Sequence, residues 1–263
     1  LVAEDLNSAK NWVDAVMQDS LFGSAGKNIL IEECLFGTEL SFMGILTPKE
    51  FIPFETSVDY KPLLDGNNGP NTGGMGCISP SPFMNDELKN TVMQKVVKPT
   101  IDGLNKLGIH YYGFMYFGLM VKDNNPKVLE FNCRLGDPET QCLMMQMESD
   151  LVDCLTDALK NNKVTINWKK GASMGVVIAS DGYPGRHAMN KQISFGDTKN
   201  LKVFHAGTKS TNGVLQTSGG RVFSVNYHGE TLELCSKYIY KNIEEVQFDG
   251  NIYRKDIGKV YES

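Results

Sequence analysis

Residues 127–141 read KVLEFNCRLGDPETQ, and Glu130, Asn132 and Arg134 fall at every second position within them. A strand has a side-chain period of two, so these three share one face, with Val128 in the same register. Leu129, Phe131 and Cys133 then point the other way and read as core. A carboxylate and an amide at i and i+2 supply the small set of oxygen ligands that Mg2+ takes from a protein, the rest coming from phosphate and water. A surface strand with polar residues outward gives the same pattern, and the pair alone does not choose. Arg134 can hold a carboxylate or phosphate through two parallel hydrogen bonds. Asp137 suits a helix N-cap before Pro138, and Glu139 in the first turn complements the helix dipole.

The run DYKPLLDGNNGPNTGGMG (59–76) is a second candidate. Asn71, Thr72, Gly73, Gly74 and Gly76 can expose several backbone N–H groups in one concave turn, which suits an anion; a mobile surface loop has the same composition. Asp59 and Lys61 place one charge of each sign at its entrance. The third is ILIEECLFGTELS (29–41), where an apolar strand runs into Glu32-Glu33 and then Leu35. Such a strand end exposes backbone groups able to pair with an adenine edge, and Glu39 can accept from ribose hydroxyls. An ordinary strand and turn with surface acids fits the pattern better. The four histidines lie apart with no ligand-like spacing, and MMQM (144–147) reads as core.

The elements that position these residues follow from periodicity. Asn7 or Ser8 can cap a helix running to about Gln18. Residues 28–34, 39–46 and 50–56 read as strands, and 57–82 as one long loop. A helix over 86–106 is bent or broken at Pro99. Residues 111–121 form a buried strand, DNNP turns, and KVLEFNCR returns. A helix runs from Glu139 to Lys160. Residues 161–172 read as a linker, followed by strands at 173–180, 201–205, 214–217 and 221–227 and a helix near 230–242.

The chain has 263 residues, 41% hydrophobic and 22% charged, with net charge −5. This is the composition of a globular protein of one large or two smaller domains. No sustained basic run makes an electrostatic case for nucleic acid or a membrane surface. Six scattered cysteines without a CxxC pair argue for reduced thiols in a cytoplasm-like compartment. LVAEDLNSAKNW is neither a signal nor a transit peptide, lacks an initiator Met, and opens as if cut from something longer.

In order, IEECLFGTELSFM, PNTGGMGCISPSP, GFMYFGLMV and KVLEFNCRLGDPETQ resemble the ATP-grasp region of the phosphoribosylamine–glycine ligase family. GVVIASDGYPG, VFHAGT, SGGRVFSV and YRKDIG resemble its C-terminal domain. The resemblance implies an α+β chain: a partial ATP-grasp fold followed by a smaller strand-rich domain. Residues 1–56 would be the remainder of the small ATP-grasp subdomain and hinge, 57–166 the large subdomain with the metal site, and 172–263 the C-terminal domain. It implies that ATP phosphorylates glycine and the amine of 5-phosphoribosylamine then displaces phosphate. Glu130 and Asn132 would bind Mg2+ (or Mn2+). Glu32, Glu33, Cys34 and Leu35 would form the adenine hinge and Glu39 a ribose contact. Arg134 would orient an anionic group. Asp59, Lys61, Asn71, Thr72, Gly73, Gly74, Met75, Gly76, Asp137 and Glu139 would line the pocket for glycine and phosphoribosylamine. His205 and Arg254 would reach the cleft or serve structure.

Family members commonly read Asp-His-Lys-Arg where this chain has Asp59-Tyr60-Lys61-Pro62, and Phe at Leu135. The family's N-terminal domain and phosphate-covering loop precede the stretch that this sequence matches. The other readings are a non-catalytic Mg-nucleotide-binding module and an ATP-grasp ligase for a different acid.

Overall fold

The computed structural model describes residues 2–3, 5–19, 21–198 and 200–259. The chain divides into two compact units, Leu1–Phe36 and Gly37–Ser263. In the first, α1 (Leu6–Met17) is capped by Asp5, not by Asn7 or Ser8. The Asp5 carboxylate accepts from the Ser8 backbone N–H at 2.7 Å, and Ser8 Oγ accepts from the Asp5 N–H at 3.1 Å. That reciprocal pair satisfies two donors at the helix start. Residues 28–34 do not form the expected strand. No described strand pairs with them, and Leu30 and Ile31 remain 80% and 81% exposed. Apolar alternation proposes a strand, but only a neighbour satisfies its backbone.

The second unit begins with β1 (Thr38–Leu46) and β2 (Phe51–Pro53). Then come β3 (Val58–Asp59), the hairpin β4 (Pro62–Leu64) and β5 (Asn68–Asn71), and β6 (Gly76–Ser79). The expected long loop over 57–82 is therefore broken up by four short strands. Next, α2 (Asp86–Val92) passes through a π-helical turn at Met93–Val97 into α3 (Lys98–Lys106). Pro99 has no N–H to donate to Lys95, and the preceding ladder widens so that Lys98 N–H reaches Met93 O. The helix continues through Pro99 rather than ending there. β7 (Gly113–Lys122) and β8 (Asn125–Asn132) form a hairpin with positive φ at Asp123 and Asn124.

The helix expected over 139–160 is two helices, α4 (Glu139–Gln146) and α5 (Leu151–Leu159). Asp150 caps the second, accepting from the N–H groups of Val152 and Asp153. Then follow β9 (Ala172–Ser180), β10 (Ile193–Phe195), β11 (Lys202–His205), β12 (Thr208–Thr211), β13 (Val214–Thr217), β14 (Arg221–Gly229), α6 (Leu232–Asn242), β15 (Val246–Phe248) and β16 (Asn251–Ile252).

Two sheets organise this unit. The first has order β2-β1-β7-β8, all antiparallel. One face packs Phe42, Phe117 and Leu119 against Leu88, Val92 and Val97 of the α2–α3 rod. The other packs Met43, Ile45 and Tyr116 against Leu143, Cys154 and Ala158 of α4 and α5. Each fully buried large apolar side chain stabilises the fold by about 1.5–3 kcal/mol. The second sheet runs β11-β14-β9-β6-β3, with β16 beside β9 and α6 on it. Its strands come from both sides of residues 161–172. Helix α4 touches β6, β9 and β14 as well as the first sheet's core, so it lies between the sheets. Its N-terminus, residue 139, is thereby held where they meet.

Arg254 holds the segment around Tyr60 and Pro62. It is 1% exposed and forks onto both Asp256 oxygens at 2.7 Å. It also donates to Pro62 O and Asn67 Oδ1, and its guanidinium lies 5.2 Å from the Tyr60 ring centroid. The residue therefore anchors the β4–β5 hairpin. His205 bonds Thr208 Oγ1 through Nδ1 at 3.1 Å and stands edge-on to Phe223. Its observed partners belong to the second sheet and its hairpins, not to the cleft.

Candidate functional site

Register decides which side chains meet. Ser41 pairs with Gly118, which pairs with Glu130; Met43 pairs with Tyr116, which pairs with Asn132; Glu39 pairs with Met120. Directly opposed residues point to the same face. Glu39, Ser41, Tyr116, Glu130 and Asn132 therefore line one face of the first sheet. Gly118 leaves the space that Glu130 uses: a Cβ there would sit 2.9 Å from Glu130 Cγ.

Val128 does not share that face. A bulge makes Gly118 oppose Glu130 while Leu119 opposes Val128, so Leu129 is the extra residue and the alternation resets. The expectation that Leu129, Phe131 and Cys133 are core is likewise overturned, because all three are exposed. β8 is the sheet edge, and Phe131 covers Phe117 from outside with ring centroids 5.6 Å apart. Arg134 lies beyond the strand, exposed, with Nη1 bonded to Leu135 O at 3.0 Å. The two-residue register that was to align it ends at Asn132.

Lys61 stands at the centre of the acids. Its Nζ is 3.6 Å from Asp59 Oδ2 and 4.0 Å from both Glu39 Oε2 and Glu130 Oε1. Burial pulls the ammonium down, but Asp59, Glu39, Glu139 and Glu130 together raise it above its ordinary value. Burial, and next the charge of Glu139, push the Asp59 carboxyl well above the usual carboxylate range, against the pull of Lys61 and Arg221. Asp59 Oδ1 is buried without a hydrogen-bond partner. Burial also raises Glu39, partly countered by Lys61. Glu39, Asp59 and Lys61 line a cavity of ≈ 260 Å3 that reaches Asn71, and Glu130 faces Asp59 and Lys61 in a smaller recess beside it.

Glu139 does more than complement a dipole. It is 3% exposed and accepts from Ser41 Oγ at 3.0 Å. Since the Ser41 proton is committed there, the 3.1 Å contact between Ser41 Oγ and Tyr116 Oη has the phenol as donor. Burial and the charge of Glu139 raise the Tyr116 phenol, which keeps that proton in place. Ser41 was legible in principle: it is the polar residue two positions after Glu39 in an otherwise apolar strand. Asp137 is not the cap of α4. Pro138 holds the cap position, and Asp137 accepts from Arg221 Nη2 at 3.0 Å and Gln141 Nε2 at 2.9 Å.

The glycine-rich run is not a backbone anion cradle. Thr72 N–H donates to Lys61 O, Gly73 N–H to Tyr183 Oη, Gly74 N–H to Thr72 Oγ1 and Met75 N–H to Tyr60 O. Asn71 pairs with Pro62 in a hairpin, and Gly76 with Val176 in a sheet. The glycines serve shape instead. Gly74 has φ +110°, and a Cβ there would meet Asp59 Oδ1 and Pro138 Cδ at 2.5 Å. The loop thus lies against Asp59 and the 136–139 turn. Glu32, Glu33, Cys34 and Leu35 belong to the first unit, the first three exposed and Leu35 half-buried.

The donor set suits a small divalent cation. Among the described residues no group of three or more His, Cys, Asp or Glu is placed to hold a metal. A two-oxygen contribution from one sheet face instead fits Mg2+, which keeps water and phosphate as its other ligands.

An antiparallel sheet between helical layers, with acids on one face that meet a lysine from a neighbouring strand segment, is the arrangement of an ATP-grasp protein. Solved biotin carboxylase structures share that fold at low identity. One, from Hydrogenobacter thermophilus 2-oxoglutarate carboxylase, aligns with TM-score 0.66 at 14% identity over 94% of this chain and 54% of that one. The chain belongs to the phosphoribosylglycinamide synthetase family: the model of its ATP-grasp (A) domain matches residues 1–140, and that of its C domain matches 173–260. The phosphoribosylamine–glycine ligase of Clostridium acetobutylicum is 42% identical over 98% of this chain. That of Ralstonia nicotianae is 43% identical, also over 98%. The crystal structure of the Thermotoga maritima ligase aligns with TM-score 0.84 at 33% identity over 95% of this chain. The chain spans 63%, 62% and 64% of the lengths of these three relatives.

Proposed function

We propose that the full-length protein carrying this chain ligates glycine to 5-phosphoribosylamine at the expense of ATP, giving glycinamide ribonucleotide, ADP and phosphate, in the cytoplasm. The observation that carries the reading is that the β7–β8 register puts Glu130 and Asn132 on one sheet face, where Glu130 meets Lys61, while Asp59 beside Lys61 abuts Gly74, and Gly74 the Pro138–Glu139 turn. Relatives 42% and 43% identical over 98% of this chain bear the name of this ligase.

A carboxylate is a poor electrophile, so the γ-phosphoryl of ATP is first transferred to a glycine carboxylate oxygen with release of ADP. The amine nitrogen of phosphoribosylamine then forms the C–N bond while the C–O bond to phosphate breaks and one amine proton is lost. Glu130 and Asn132 would hold Mg2+, which would offset part of the charge of the nucleotide phosphates. Lys61, kept protonated by its acidic neighbours, neutralises part of the oxygen charge gathered in the cleft. Asp59 and Glu139, with the 71–76 loop and Asp137, form the wall for the two small substrates. Arg134 would orient an anionic group from beyond the strand. Glu39 would accept from the ribose, and Glu32, Glu33, Cys34 and Leu35 would contact adenine.

The test is ADP release by the full-length protein, with glycine and phosphoribosylamine each omitted in turn. Dependence on both is expected. Release that ignores glycine, or none with all substrates present, overturns the reading.

A further inference from the structure

Gly73 is held on both sides of its peptide by residues from the segment that matches the C domain. Its N–H donates to Tyr183 Oη at 2.9 Å, and its carbonyl accepts from Arg221 Nη1 at 2.6 Å. The same Nη1 reaches Asp137 O at 2.6 Å, and Gly74 O lies 3.4 Å away. Nη2 closes on Asp137 Oδ2 at 3.0 Å. One guanidinium therefore ties the glycine-rich loop to the turn that opens α4. Tyr183 reaches Gly73 because residue 220 is glycine: a Cβ there would stand 2.3 Å from the Tyr183 ring. On the far side, Gly74 abuts Asp59 and Pro138.

We propose that Arg221 and Tyr183 are positioning residues that set the gap between the Gly73–Gly74 loop and the Asp137–Glu139 turn, and through it the substrate pocket. The inference rests on the ligase reading above. The Asp137 carboxylate is half exposed, so the ion pair itself adds little. The contacts to Gly73 O and Asp137 O carry the geometry, because they fix backbone directly, and Gly73 has no side chain of its own to anchor it. A planar fork is needed to reach Gly73 O and both Asp137 oxygens at once, and a lysine ammonium offers no such fork. The segment that matches the C domain thus shapes the catalytic cleft from behind its wall.

The test uses Arg221→Ala, Arg221→Lys and Tyr183→Phe in the full-length protein. Tyr183→Phe keeps the ring and deletes only the acceptor of the Gly73 N–H. A misplaced wall of this kind costs up to about 100-fold in kcat/KM, expected here for Arg221→Ala mainly through the KM of glycine or phosphoribosylamine. MgADP affinity is expected to stay at the wild-type value. Methylguanidinium in the assay should recover part of the Arg221→Ala loss, and Arg221→Lys should not. An active wild type whose Arg221→Ala and Tyr183→Phe variants keep both KM values overturns this proposal alone. A wild type without glycine-dependent ADP release overturns the ligase reading instead. If Arg221→Ala fails to fold, Tyr183→Phe decides by the same KM criterion.

Discussion

Gly118→Ala isolates the proposed metal site from the fold. The added methyl would sit 2.9 Å from Glu130 Cγ and 3.3 Å from the Tyr116 ring. Ordinary carbon–carbon contacts are about 3.5–4.0 Å, so the Glu130 side chain must retreat by roughly 0.6–1 Å. Mg2+ holds its ligands near 2.0–2.1 Å with little tolerance, so a shift of about that size is enough to displace an oxygen ligand. The fold pays little. Glu130 is half exposed and its contact with Lys61 is a loose 4.0 Å, and an alanine gains about 0.5–1 kcal/mol over glycine within a strand. An off-rotamer glutamate costs about 0.5–1.5 kcal/mol, which roughly offsets that gain. The melting temperature should therefore stay within about 4 °C of wild type. Metal affinity should fall about 10–100-fold, the range seen when a ligand loses its support. Mn2+ titration followed by EPR with ADP present, run beside a thermal melt, measures both. Unchanged Mn2+ affinity in a folded variant would refute the reasoning, as would a large loss of stability with the metal site intact.

Two further outcomes concern stability. Because burial and Glu139 raise the Asp59 carboxyl, the native state keeps a proton that the unfolded chain releases near 3.8. The stability contributed by that group is full below 3.8 and falls as pH rises through the native value. Asp59→Asn removes this titration, so the variant should gain on wild type between acidic and neutral pH in urea melts; parallel pH profiles would count against it. Arg254→Ala breaks a buried, forked pair and should cost about 3–5 kcal/mol by denaturant unfolding. Arg254→Lys keeps the charge but not the fork and should recover only part; full recovery would place the stabilisation elsewhere.

Local pattern located much of the frame. The strands at 38–46, 113–122 and 172–180 are long and apolar, and the pairing of Glu130 with Asn132 follows from a period of two. What failed depended on partners far along the chain. Residues 28–34 have strand composition but no pairing neighbour among the described residues. Leu129, Phe131 and Cys133 alternate as core residues do, yet a bulge and an edge position leave them open. Asp137 has the makings of an N-cap, but a guanidinium 84 positions later in the chain takes its carboxylate. Asn71, Thr72, Gly73, Gly74 and Gly76 read as a cradle of free donors, but the N–H groups of Thr72, Gly73 and Gly74 go to Lys61 O, Tyr183 Oη and Thr72 Oγ1, and Gly76 pairs in a sheet. No local window contains those acceptors together. Ser41 was visible as a polar residue on an apolar strand, and only the register shows that it serves Glu139.

The most direct test is the MgADP affinity of the full-length protein carrying Glu130→Ala, Asn132→Ala and both together, measured by calorimetry with and without Mg2+. If the two side chains grip one ion, each single change weakens binding only when Mg2+ is present, and the double variant loses clearly less than the sum of the two. Wild-type affinity in either single variant, or losses that persist without Mg2+, would contradict the shared site.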